Sequence, residues 1–159
     1  MTELLWPDAG HGLLERVLAL ADGEAVTLTA SEEHARPTVV RKGRFGGFIP
    51  ARHEVVVPWV RLERLEDHLR GQCVGAEALG GTFPLSPDED AVLLALGWRH
   101  PGPGDGDHYV RFWPDDVAQG PFLPRDDAER AVEMVTATFI EVLAPTPESG
   151  AGMAARATT

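Results

Sequence analysis

Leu85-Ser86-Pro87-Asp88-Glu89-Asp90-Ala91-Val92-Leu93-Leu94-Ala95-Leu96-Gly97-Trp98 spells out both ends of a helix. Ser86 offers the hydroxyl of an N-cap, and Pro87 fits the first helical position, where no amide donor is needed. Glu89 stands three residues after Ser86, the spacing of a capping box. Asp88, Glu89 and Asp90 place negative charge near the positive end of the helix. Val92, Leu93 and Leu96 fall on one side of it. Gly97 supplies a left-handed stop. Trp98, following at once, is expected to swing back under the helix as a packing anchor. The stretch holds no nucleophile, no base and no metal-ligand pair, so it reads as scaffold for a binding module.

Downstream, Arg99 to Asp107 contains Pro101, Gly102, Pro103, Gly104 and Gly106, the composition of a loop. His108 to Trp113 alternates as a strand closed by Pro114. From Asp126 the spacing to Glu129 repeats the capping box, and Ala128, Ala131, Val132, Val135, Phe139, Val142 and Leu143 form one apolar helical stripe. Pro145 and Pro147 end that helix. The tail 145–159, poor in bulky apolar residues, is expected to be disordered.

Upstream, Trp59 to Leu65 alternates as a strand, with Glu66-Asp67-His68 as the turn and Leu69 to Leu79 as the returning strand. A helix through Leu62, Leu65, Glu66 and Leu69 competes with this reading, since those positions also fit the helical period. Val39-Val40 and Val55-Val56-Val57 are strand-like and bracket a hairpin or loop. Asp8 to Ala21 reads as a first helix stopped by Asp22-Gly23, with Trp6 packing near its start, and Ala25 to Thr29 as a strand. The expected fold class is α+β: a twisted, mostly antiparallel sheet with three helices packed against it, in a single domain over residues 1–144.

The chain has 159 residues and a formal net charge of -11. That balance disfavours nucleic acid and anionic membrane as partners. A single cysteine, Cys73, excludes an internal disulfide framework and suits a reducing cytoplasm. The amino-terminal stretch lacks a basic start followed by a long apolar run, and no window approaches a membrane span, so a cytoplasmic setting is expected.

The run from Pro58 to Leu143 resembles the TY-Chap domains of actinobacterial proteins, which are similar to the small dimeric chaperones of type III secretion systems. The matching residues are Pro58-Trp59-Val60-Arg61-Leu62, the stretch Leu69 to Gly80 with its Glu77, and Leu85-Ser86 leading to Leu96-Gly97-Trp98 with Pro101 three residues on. Arg61 stands where a Gln is usual, and Arg36 to His53 looks like an insertion. The resemblance implies a twisted antiparallel sheet, a homodimer, a role in binding a protein client, and no catalytic residues.

The six histidines, at 11, 34, 53, 68, 100 and 108, form none of the common zinc spacings. Asp105-Gly106-Asp107-His108 reads as a turn in a Gly/Pro loop rather than a cation site. Ser31, Ser86 and Ser149 sit in a turn, a cap and a tail, without a nucleophile elbow. Cys73 reads as a buried small hydrophobe and Glu77 as a carboxylate on the rim of the sheet. No cofactor and no metal are expected.

The local anomaly is Arg36 to His53, which carries five cations and no carboxylate, leaving -16 on the rest of the chain. Such asymmetry can steer an acidic partner, or it can answer the chain's own acidic surface. Phe45 and Phe48 beside the cations favour an interface. Arg41, Lys42, Arg44, Phe45 and Phe48, with Trp59 and Arg61 on the strand that follows, form the candidate partner-binding set. An alternative role for the basic Arg36 to Arg52 segment is a small-molecule or nucleotide-sensing regulatory domain, in which Arg41, Lys42 and Arg44 hold an anion.

Overall fold

The computed structural model describes residues 2–41, 52–117 and 120–146. The helix at Leu85 to Trp98 forms as its sequence requires. It is α2, Pro87–Leu96, with Ser86 Oγ accepting from the Glu89 amide at 3.2 Å and the Glu89 carboxylate accepting from the Ser86 amide at 2.9 Å. Gly97 adopts φ +113°, the Trp98 amide donates to the Leu93 carbonyl, and the Gly97 amide donates to Leu94, the paired bonds of a Schellman stop. Trp98 is buried, but its partners lie beyond its own helix. Its indole N–H donates to Thr138 Oγ1 at 2.8 Å, and its ring meets Trp113 edge-on at 6.3 Å.

The main sheet has five strands in the order β1 (Thr2–Leu5), β2 (Ala25–Thr29), β5 (Trp59–Leu65), β6 (His68–Cys73), β7 (Tyr109–Trp113). Every pair is antiparallel except β1 with β2. β3 (Arg36–Arg41) and β4 (Arg52–Val56) pair antiparallel in a separate two-stranded sheet, the hairpin anticipated from the two valine runs. The period-2 reading of Trp59 to Leu65 prevails over the helical one. Leu65 pairs with His68 across a two-residue turn, in which Glu66 takes φ +49°.

α1 (Leu13–Leu18), α2 and α3 (Arg125–Thr138) join Val26, Leu28, Val60, Leu62, Leu69, Cys73, Tyr109 and Trp113 in one core. Leu28, Val60, Cys73 and Tyr109 stand opposite one another across four strands, and Val26, Leu62 and Gly71 form the next row. These residues share a face, since side chains alternate along a strand. Gly71 is needed there: a Cβ on it would lie 2.7 Å from the Trp113 ring and 3.2 Å from Trp98.

Three local expectations are corrected. The first helix does not run from Asp8 to Ala21: Gly12, at φ +80°, separates a short turn at Asp8–Gly10 from α1, which ends at Leu18. The returning strand stops at Cys73 rather than Leu79, and just beyond it Gly75 packs so closely that an added Cβ would meet the Asp107 carbonyl oxygen at 1.5 Å. Glu77–Leu79 is a single 3-10 turn. Asp126 caps nothing: α3 begins after Pro124, buried Asp127 pairs with Arg130, and Glu129 pairs with Arg125 instead. β1 was not anticipated, since four residues with one half-buried position carry no readable alternation. Trp6, just beyond β1, stacks on Phe139 at 4.8 Å, in the π-helical turn Phe139–Leu143 that follows α3. Residues 147–159, most of the tail expected to be disordered, lie outside the described residues.

Candidate functional site: the sheet face away from the helices

The strand alternation that puts Val60 and Leu62 into the core turns Trp59, Arg61 and Glu63 to the other side of β5. The register brings Thr27, Gln72 and Val110 into one row with Arg61, and Ala25, Arg70 and Phe112 into one row with Glu63. Ala25 and Val110 are buried, yet neither belongs to the core shared with the helices. Among the described residues, all three helices therefore contribute to the opposite face.

A charged triad occupies the middle of this face. Glu63 accepts from Arg70 Nη2 at 2.5 Å through one oxygen and from Arg61 Nη2 at 3.4 Å through the other. Its side chain is 14% exposed, against 33% and 35% for Arg61 and Arg70, so the carboxylate is the more buried partner and the arginines are partly accessible. Nε of each arginine is shielded from solvent without a hydrogen-bond partner. Beside the triad, the Trp59 ring meets His108 edge-on at 4.8 Å.

Of the residues singled out from sequence, Trp59 and Arg61 thus stand together. Lys42, Arg44, Phe45 and Phe48 lie outside the described residues, and Arg41 is described only as the end of β3. The flanking cations of the basic segment have partners within the chain. Arg36 makes a two-pronged bond to Glu89, at 2.8 and 2.7 Å, donates to the Pro84 carbonyl, and sits 4.8 Å above the Phe83 ring. Arg52 pairs with Glu54. Arg36 thereby ties the β3–β4 hairpin to the capping box of α2. Burial pushes the Glu89 carboxyl up, but the bonds from Arg36 and Ser86 outweigh it and hold the group below its ordinary value.

Glu63 and Arg70 were not among the candidates. The i, i+2 spacing of Arg61 and Glu63 was a readable sign that both share a face, whereas Arg70 arrives through the pairing of β5 with β6.

Other polar clusters serve structure. Asp90 accepts from Tyr109 O–H at 2.5 Å and lies 2.9 Å from His100 Nε2, joining α2 to β7. The tyrosine bond is the main reason its carboxyl is held low, with burial opposing and His100 assisting. Burial, then Asp90, pushes the Tyr109 hydroxyl far up, and burial alone does the same to the Cys73 thiol, so neither supplies a ready nucleophile. Glu77 is exposed on the rim and accepts from Thr38. Asp105 accepts from the Gly102 amide at 2.9 Å, a turn bond. Among the described residues no three His, Cys, Asp or Glu side chains gather where a metal ion could be held. A groove between β1 and α1, lined by Thr2, Arg16, Ala19, Leu20 and Val26, encloses about 170 Å³, less than the ~300 Å³ of a typical small-molecule site.

A family model described as "T3SS (YopN, CesT) and YbjN peptide-binding chaperone 3" matches residues 2–149. The chain belongs to the TY-Chap3 family. The resemblance read from Pro58 to Leu143 therefore holds, and it extends over the amino-terminal elements as well. The family is one of peptide-binding, chaperone-like modules, so a protein segment is the expected kind of partner for a TY-Chap3 chain. Neither the curated proteins nor the solved structures gave a match. No helix among the described residues is long and apolar enough to cross a membrane.

Proposed function

We propose that this TY-Chap3 chain is a non-enzymatic module that holds an extended peptide segment of a protein partner across the sheet face opposite its three described helices, with Trp59 and Arg61 in the contact. The observation that carries the reading is the one-sided packing. α1, α2 and α3 share a core with one face, while Arg61 stands on the other, and Trp59, two positions away on the same side of β5, is half-buried and packs against the edge of that core. An aromatic ring next to an arginine is the combination most often found at the energetic centre of protein interfaces.

A cytoplasmic, self-associating protein is part of the same reading. The outer side of β7 is occupied by Arg99, which exchanges two backbone bonds with Val110, whereas β1 ends the sheet without a described neighbour on its outer side. An unpaired strand edge is a template for a further strand. A concentration series by light scattering tests this part, and a strict monomer at every concentration overturns it.

The peptide-binding reading is tested by panning a phage-displayed library of random linear peptides against the intact chain. The peptides recovered should lose affinity for Trp59→Ala and Arg61→Ala and keep it for Leu94→Ala, on the exposed side of α2. Equal binding by all three variants, or recovery of no peptide, overturns it.

A further inference from the structure

We propose that the peptide held on this face presents an acidic side chain, gripped jointly by Arg61 and Arg70, two positions from an apolar side chain that lies against Trp59; this deepens the peptide-binding reading and rests on it.

The argument starts from charge. Two guanidiniums share one carboxylate, so the triad of Arg61, Glu63 and Arg70 carries one net positive charge, on a chain whose formal net charge is -11. Glu63 engages one Nη2 of each arginine and is less exposed than both, each arginine keeping about a third of its side-chain surface accessible. A guanidinium fork matches the two oxygens of a carboxylate, and such charge-assisted bonds are about twice as strong as neutral ones. The same face carries another anion, Glu3, but it is exposed on β1, with β2 between it and Arg61. Repulsion by the acidic remainder of the surface sharpens the effect, because an acidic segment is favoured at this place and disfavoured elsewhere.

Spacing supplies the second half. Trp59 and Arg61 are two residues apart on one strand and share a face, so their side chains emerge about 6.6 to 6.8 Å apart. An extended peptide repeats at the same interval. When it lies roughly along β5, an apolar side chain over Trp59 brings the residue two positions away over the arginine pair. The Trp59 ring, standing edge-on to His108, gives the apolar side chain an aromatic surface.

The library panned on the intact chain gives the test. Recovered peptides should be enriched in Asp or Glu two positions from an apolar residue. A synthetic peptide of that kind should bind about tenfold more weakly once its acid is replaced by the amide, a difference of ~1.4 kcal/mol. Arg61→Gln and Arg70→Gln should each bind the acidic peptide about as weakly and no longer distinguish it from the amide form. Glu63→Gln, which removes the competing carboxylate, should bind the acidic peptide more tightly, a gain that loss of fold cannot imitate. Thermal melts of each variant accompany the binding data. Peptides that depend on Trp59 yet are indifferent to their own acidic residue, or to Arg61 and Arg70, overturn this inference and leave the peptide-binding reading in place. Recovery of no peptide removes both.

Discussion

The two faces of one sheet put tryptophan to opposite uses. On the helix side, Trp98 and Trp113 are buried to within a few per cent, meet edge-on, and press on Gly71, where even a methyl group has no room. On the other side, Trp59 is half-buried at the edge of the core, near a partly accessible triad of two arginines and one glutamate. Close packing with a satisfied indole N–H holds the first face, where each removed contact leaves a cavity or an orphaned polar group. Ion pairs whose arginines keep about a third of their surface accessible contribute less to folding than a close-packed core, so the second face can change its partners at smaller cost to the fold.

Replacing Trp98 by Ala should produce the largest effect, about 3–5 kcal/mol of lost stability by urea denaturation, and Trp59→Ala should cost clearly less; equal losses would erase the contrast between the faces. Gly71→Ala should cost about 1–3 kcal/mol, since the new Cβ meets the Trp113 ring; a silent substitution would show that the helix side is looser than its geometry. Thr138→Val should cost about 1–3 kcal/mol by leaving the Trp98 N–H unpaired. Adding Trp98→Phe to that variant should cost less than the sum of the two, because the indole N–H is lost only once.

A pH titration separates the tether of Arg36 and Glu89 from the apolar packing. Glu89 is held below its ordinary value of 4.5, so the stabilisation it gives is complete above that pH and is lost as pH falls through the folded value. The gap in melting temperature between the native chain and Glu89→Gln should close on acidification; a gap that widens would reverse the sign. The smallest effect belongs to the open face: Arg61→Gln should change stability by no more than about 1 kcal/mol while weakening peptide binding, and a large loss of stability would make the triad part of the scaffold.

Several features were legible because they close within a few residues. Ser86 and Glu89 cap each other, Gly97 turns the chain at once, and Glu66-Asp67 joins two strands whose alternation had been read correctly. The misread places share another cause. At Asp126 and Glu129 the cap spacing was present, but Pro124 already opened the helix and Arg125 took Glu129 as its own partner. Cys73 to Leu79 looked like continuing strand, whereas the chain there leaves the sheet and meets Asp107 at Gly75, a contact from more than thirty positions along the chain.

Residue order alone was enough for the ends of α2, the periods of β5 and α3, and the presence of Trp59, Arg61 and Glu63 on one side of a strand, because caps and alternation depend on neighbours two to five positions away. The folded chain was needed to bring Arg70 to Glu63, Trp98 to Thr138 and Arg36 to Glu89, and to place all three described helices on one face of the sheet. Those meetings depend on strand register and on which face the helices cover, and such long-range packing has no local signature in the chain.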